Sequence, residues 1–286
     1  MTTLTPIENR DGRWYKREDL LRDLTGVNGA KYRQCGFLVE RAAAAGAVRL
    51  VTGASVLSPQ HAMTALEAAR LGLPLTCVLG GTSPETAIRN PSVRIAVENG
   101  ARLDTAVRVG YNPQIQRRVQ QLALRPGTIA IGYGISIPDG APLEDIRAFH
   151  AVGAAQVANL PEGLDNLIVP LGSGNSCTSL LYGLATHPAP PTRVTIIGIG
   201  PSRFQWMLTR LARLGATPTM ALAHYDLHAT KTYSYTDKVK KTSDGILLHP
   251  TYEAKVVTWI EAHPEVAPGW ENRDNSTALW IVGGPL

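Results

Sequence analysis

The stretch Leu167 to Leu184, LIVPLGSGNSCTSLLYGL, decides the fold. Its first five residues lack the polar alternation of a half-wet strand, so they read as a strand buried on both faces. Gly172, Ser173 and Gly174 then turn the chain, and Thr178 to Leu184 continues as helix. Strand, glycine loop and helix in that order make the unit from which parallel α/β sheets are built. The same order can cradle an anion. Small residues let backbone N–H groups point inward, the helix start adds partial positive charge, and Ser173 and Ser176 can donate hydroxyl bonds. Such glycine turns also arise for steric reasons alone.

The alternation extends to both sides of this stretch. Strand-like runs fall at Val48 to Thr52, Leu75 to Leu79, Arg102 to Ala106, Thr128 to Gly132, Val194 to Gly198 and Leu279 to Val282. Amphipathic helical patterns fall at Gln60 to Leu71, Ser92 to Asn99, Pro113 to Leu122 and Leu143 to Ala158. The pattern predicts a two-lobed α/β fold with largely parallel sheets. A small inserted α/β domain over 47–145 interrupts a large domain made of 1–46 and 146–286, whose later strands need partners from the N-terminal region. An active site is expected in the crevice between the lobes. No internal repeat is present, and the one low-complexity tract is Ala42 to Ala45.

With 286 residues, 44% hydrophobic and 18% charged, the chain can bury a substantial core. The cysteines Cys35, Cys77 and Cys177 lie far apart with no metal-ligand spacing, which points to a reduced, intracellular protein without a metal. The N-terminus turns charged at once and no run is long and apolar enough to span a bilayer, so the expectation is cytoplasmic, with no membrane partner. A net charge of +5 favours anionic partners: a phosphorylated cofactor, an acidic substrate or nucleic acid. Lys231, Lys238, Lys240 and Lys241 form one basic cluster that reads either as a solvated face or as a phosphate-backbone contact. Among the seven histidines only His224 and His228 stand at i, i+4, without the glutamate of an HExxH motif, and no GxSxG elbow occurs.

Three further segments carry candidate chemistry. In WYKREDLLRDLTGVNGAKYRQ a glycine-containing turn delivers Lys31 to a helix start, where desolvation would lower its pKa and let the amine attack an aldehyde; alone, such a lysine reads as a surface residue. In VTGASVLSPQHAM, Ser58 reads as the cap and Pro59 as the first residue of a helix. That geometry would also aim the Ser58 hydroxyl and the Gln60 amide at a carboxylate. His61 reads as a helix-surface residue or a catalytic one. In GILLHPTYEAK, Tyr252 and Glu253 follow Pro250 at a loop-to-helix junction. They read as a pair compatible with the helix dipole, or as an acid–base tyrosine beside a carboxylate that can hold a pyridine nitrogen protonated.

Together, in this order and spacing, the segments resemble the pyridoxal 5′-phosphate (PLP) enzymes of the tryptophan synthase β-subunit fold (fold type II), in particular the group of 1-aminocyclopropane-1-carboxylate deaminase and D-cysteine desulfhydrase. The resemblance rests on Lys16-Arg17-Glu18-Asp19-Leu20, Asn28-Gly29-Ala30-Lys31-Tyr32-Arg33-Gln34, Ser58-Pro59-Gln60-His61, Gly172 to Ser176, His249 to Lys255, and Val282-Gly283-Gly284. It implies that Lys31 holds PLP as an imine and moves the α-proton, that Gly172, Ser173, Gly174, Asn175 and Ser176 hold the phosphate, and that Glu253 meets the pyridine nitrogen. It further implies that Tyr252 acts as acid or base and that Ser58 and Gln60, with His61 beside them, bind the substrate. Pro59 and Ala30 stand where the family has asparagine.

The resemblance implies a lyase or deaminase acting at the amino group or α-carbon of an amino-acid-like substrate, in a homodimer. One alternative is a PLP enzyme acting on an amino-acid-modified nucleobase in DNA, motivated by the basic balance and the altered Ser58-Pro59-Gln60 loop. A non-catalytic binding protein of the same fold is another.

Overall fold

The computed structural model describes residues 3–21, 27 and 29–284; Asn28 of the lysine segment lies outside the described residues. In chain order the strands are β1 (Ile7–Arg10), β2 (Arg13–Arg17), β3 (Arg49–Gly53), β4 (Leu75–Gly80), β5 (Arg102–Val107), β6 (Thr128–Ile131), β7 (Asn166–Leu171), β8 (Arg193–Gly198), β9 (Ala221–Asp226), β10 (Thr242–Ser243), β11 (Ile246–Leu247) and β12 (Thr277–Ile281). The α-helices are α1 (Lys31–Ala44), α2 (Gln60–Arg70), α3 (Pro84–Ala87), α4 (Pro91–Glu98), α5 (Asn112–Ala123), α6 (Leu143–Ala154), α7 (Asn175–Leu184), α8 (Phe204–Leu214), α9 (Glu253–Ala262) and α10 (Pro268–Asn272). The chain divides into two compact units, one from 1–31 with 142–285 and one from 32–141.

The larger unit is built on a six-stranded sheet in the order β1-β2-β12-β7-β8-β9. All its neighbours are parallel except the β1–β2 hairpin. The C-terminal strand β12 lies between the N-terminal β2 and the glycine-loop strand β7, with Leu279 opposite Tyr15 and Ile168. Every residue of β7 and β12 is buried, as strands covered on both faces require. On one side Ile168, Ile197, Leu279 and Ile281 pack with Val256, Val257, Ile260 and Trp270. Pro170 is tolerated in this central strand because β12 pairs with β7 only as far as Ile168.

The Lys16-to-Leu20 segment works structurally. The fully buried Lys16 donates from Nζ to the Thr5 carbonyl and to Asn159, Arg17 pairs with Asp19 at 2.7 Å and Glu8 at 2.9 Å, and Glu18 accepts from the Thr5 hydroxyl. Buried charges persist only with such partners. The smaller unit carries a four-stranded parallel sheet, β5-β4-β3-β6. Ile115, Val119 and Leu122, one stripe of α5, pack there on Val51, Val78 and Val107. Cys35, Cys77 and Cys177 are buried thiols. Among the described residues no helix is long and apolar enough to cross a membrane, and no group of three ligand-type side chains could hold a metal ion.

Candidate active site

Lys31 opens α1 and is half-buried; burial pushes its amine down to about 8. Among the described residues no carboxylate or carbonyl binds Nζ. The segment before it is tied to the end of β12: the Ala30 N–H donates to the Val282 carbonyl at 2.9 Å. Gly29 holds φ +100, and a Cβ there would come within 2.4 Å of the same carbonyl oxygen, so only glycine lets the chain approach this closely.

Val282 faces both ways. Its N–H donates to Glu253 Oε1 at 2.7 Å, so one residue links the lysine segment to the carboxyl at the start of α9. Glu253 is fully buried, and its pKa rises to about 8, first from desolvation and further from the negative charge of Asp19. Its second oxygen, Oε2, is buried and has no partner among the described residues. A buried carboxyl with a vacant oxygen is suited to a ligand that brings a donor or shares a proton.

β7 runs into Gly172, and α7 starts at Asn175 with Gly174 at φ +92 and no side-chain cap. No acidic side chain stands in the first turn of α7, so the positive end of the helix suits an anion. A Cβ at Gly172 would lie 2.8 Å from the Tyr252 ring, and one at Gly174 would lie 2.8 Å from Trp206. The loop thus lies against two aromatic side chains, with Ser173 and Ser176 half-buried along it.

Tyr252 precedes α9, and its hydroxyl lies 2.8 Å from that of Tyr235. Sequence reading missed Tyr235, because nothing in its polar loop marks a partner 17 residues away. The loop is held by Lys255, which is fully buried, donates from Nζ to the Ser234 carbonyl at 2.7 Å and sits 5.8 Å from the Tyr233 ring centre. The lysine cluster is likewise partly engaged within this unit: Lys241 pairs with Glu261, and Lys238 donates to Thr251.

Ser58, Gln60 and His61 belong to the smaller unit. The helix begins one residue later than the capping pattern suggests, at Gln60, although the Ser58 hydroxyl still accepts from the Gln60 N–H at 3.3 Å. Gln60 is buried and its amide is engaged: Nε2 donates to Thr52 Oγ1 at 2.7 Å and to the Gly132 carbonyl at 3.1 Å, while Oε1 accepts from the Gly134 N–H at 2.8 Å. His61 is not a helix-surface residue. It is fully buried, with Nε2 3.1 Å from the Ser55 carbonyl, and burial lowers its pKa to about 4, so it is neutral. α2 is buried on most of its faces, its polar Gln60, Thr64 and Glu67 included, which its amphipathic spacing does not reveal.

Within the larger unit the structure brings together Lys31, the Gly172-to-Ser176 loop, Tyr252 and Glu253. The residues fit PLP on three independent counts: an unpaired buried carboxyl oxygen for the ring nitrogen, a glycine loop at an uncapped helix start for the phosphate, and a lysine of lowered pKa for the aldehyde. No protein-family profile matches the chain. The O-seryl-dTMP PLP-dependent decarboxylase of Salmonella phage ViI is 33% identical, over 94% of this chain and 77% of its own length. D-cysteine desulfhydrase of Salmonella paratyphi A is 25% identical over 86% of this chain and 79% of its own. A crystal structure of a homologue of ACC deaminase superposes with a TM-score of 0.68 at 21% identity, covering 99% of this chain and 89% of its own. Fold and site thus define a PLP-dependent enzyme of fold type II, close to the ACC deaminase group. The chain belongs to the family of the phage ViI O-seryl-dTMP decarboxylase.

Proposed function

We propose that the chain is a PLP-dependent lyase that breaks the bond between the α-carbon and the carboxylate of an amino acid carried on a pyrimidine nucleotide. Glu253 carries the α-carbon chemistry. A carboxyl held near pKa 8 with one free oxygen shares a proton with a ring nitrogen and does not surrender it to water. Bound PLP supplies the electron sink that takes up the pair left when a bond to the α-carbon breaks, and a protonated ring nitrogen deepens that sink. Lys31 holds the cofactor and, with a pKa near 8, takes and returns protons at neutral pH. Tyr252, paired with Tyr235, holds a proton beside the reacting carbon. The amides from Gly172 to Ser176, with the hydroxyls of Ser173 and Ser176, hold the phosphate.

The choice of bond is supported by the phage relative, whose name specifies a decarboxylase. The carbon–carboxylate bond breaks and a carbon–hydrogen bond replaces it, with Lys31 the proton donor. The nucleotide-borne substrate is supported by the phage relative, whose name specifies a seryl group on dTMP and whose identity exceeds that of D-cysteine desulfhydrase.

The test is incubation of the holoenzyme with O-seryl-dTMP, reading carbon dioxide and the amine product by mass spectrometry. Ammonia or a keto acid from free D-cysteine or aminocyclopropane carboxylate, with the nucleotide untouched, would replace this reading with deamination or elimination. That second reading is favoured by the kinship with the ACC deaminase group. Borohydride reduction should fix the cofactor's mass on Lys31 in either case.

A further inference from the structure

The two units differ sharply in charge. Residues 32–141 hold eleven arginines, no lysine and six carboxylates, so this unit carries the whole net +5; the rest of the chain holds seventeen residues of each sign and is neutral. From Thr105 to Pro138 there is no acidic residue at all. Within that stretch α5 buries Ile115, Val119 and Leu122 and turns Gln114, Arg117, Arg118 and Gln121 away from the sheet. Together with Arg108, beyond the end of β5, they line a cavity of about 480 Å³. Arg118 is fixed by Asp104, to which it donates at 2.8 and 3.0 Å. Arg108 and Arg117 are exposed and have no carboxylate partner among the described residues.

We infer that this arginine and glutamine face of α5 and β5 is a docking surface for the phosphate backbone of DNA. Arginine is suited to that role: its planar fork bonds two phosphate oxygens at once, and it stays charged at every physiological pH. Glutamine adds neutral donors for phosphate or sugar. Gln114 to Gln121 spans about 10 Å of helix, enough to follow adjacent phosphates. Charge complementarity selects a polyanion, and DNA is chosen because the inference rests on the reading of a nucleotide-borne substrate. The surface thus assigns the substrate class: the modified nucleotide is presented within a polymer. It also moves the nucleic-acid contact away from the lysine cluster of the larger unit, where Lys241 is paired with Glu261.

The test is fluorescence anisotropy of the full-length holoenzyme with a labelled duplex across a salt series, alongside turnover of O-seryl-dTMP as a free nucleotide. Arg108→Ala with Arg117→Ala should weaken duplex binding at low salt by about tenfold or more and reduce the slope of log K against log salt by about 2. Turnover of the free nucleotide should be unchanged, which also reports correct folding. Lys238→Ala with Lys240→Ala should leave affinity and slope as in the wild type. Wild-type affinity in the arginine variant, its loss in the lysine variant, or equal binding of polyglutamate would overturn the inference. Arginine-dependent, salt-sensitive duplex binding without turnover of the nucleotide would uphold the surface and defeat the decarboxylase reading. Turnover of the nucleotide without duplex binding would do the reverse.

Discussion

Glu253 pairs full burial with one satisfied and one vacant oxygen, and this has a consequence measurable without substrate. Its folded pKa of about 8 lies above the 4.5 of an ordinary glutamate, so the folded state holds the proton more tightly than the unfolded chain. The associated stability is complete below about pH 4.5 and is lost as pH rises through 8. In the apoprotein, Glu253→Gln should therefore gain on the wild type steadily from pH 5 to 9 in thermal melts. A constant difference across that range would mean that the carboxyl is not held neutral. The tyrosine pair makes a second prediction. Tyr252→Phe should lower kcat by about 10²-fold or more while leaving cofactor loading intact, as loss of a proton-transfer group does. Tyr235→Phe should cost less, about tenfold, and shift the pH profile, because it removes only the partner that holds the Tyr252 hydroxyl. Equal losses with no shift would make Tyr235 a packing residue.

At the scale of elements, the glycine loop and the helix it starts form a unit whose geometry is set by its neighbours. Gly174 combines φ +92 with a Cβ position 2.8 Å from Trp206, so Gly174→Ala meets both backbone strain and a clash. It should cost about 1–2 kcal/mol of stability and raise the cofactor's dissociation constant about tenfold, read by equilibrium titration. An unchanged constant would remove the loop from the phosphate site. This element was legible in the sequence because apolar run, glycines and helical pattern are all local signals. The start of α9 at Tyr252-Glu253 was legible for the same reason, Pro250 fixing the turn. The hairpin β1–β2 and the edge strand β9 were not: β1 and β9 are short, half-buried and mixed, as in Ala-Leu-Ala-His-Tyr-Asp, and β2 buries the charged Arg13, Lys16 and Arg17, so none shows clean alternation or an apolar run. The role of Val282 was hidden differently: it acts through its backbone, which no side-chain pattern encodes.

Across the whole molecule, the two units carry different parts of the candidate machinery. The residues that fit the cofactor all lie in the larger unit, whereas those expected to hold a substrate carboxylate, Ser58, Gln60 and His61, lie in the smaller one. For Gln60 the sequence carried no sign of its bonds, because Thr52, Gly132 and Gly134 come to it only when β3 and the segment after β6 meet in one sheet. Three hydrogen bonds from one buried amide make it a tie within that sheet, and removing it leaves the Gly134 N–H without an acceptor. Gln60→Ala should accordingly lower stability by about 1–3 kcal/mol, seen as a fall in Tm, while borohydride still fixes the cofactor on Lys31. Once stability is matched by working at lower temperature, KM for the substrate should stay within about twofold of wild type, since a group that binds no substrate adds no ground-state affinity. An undiminished Tm with a large rise in KM would return Gln60 to the substrate-binding residues.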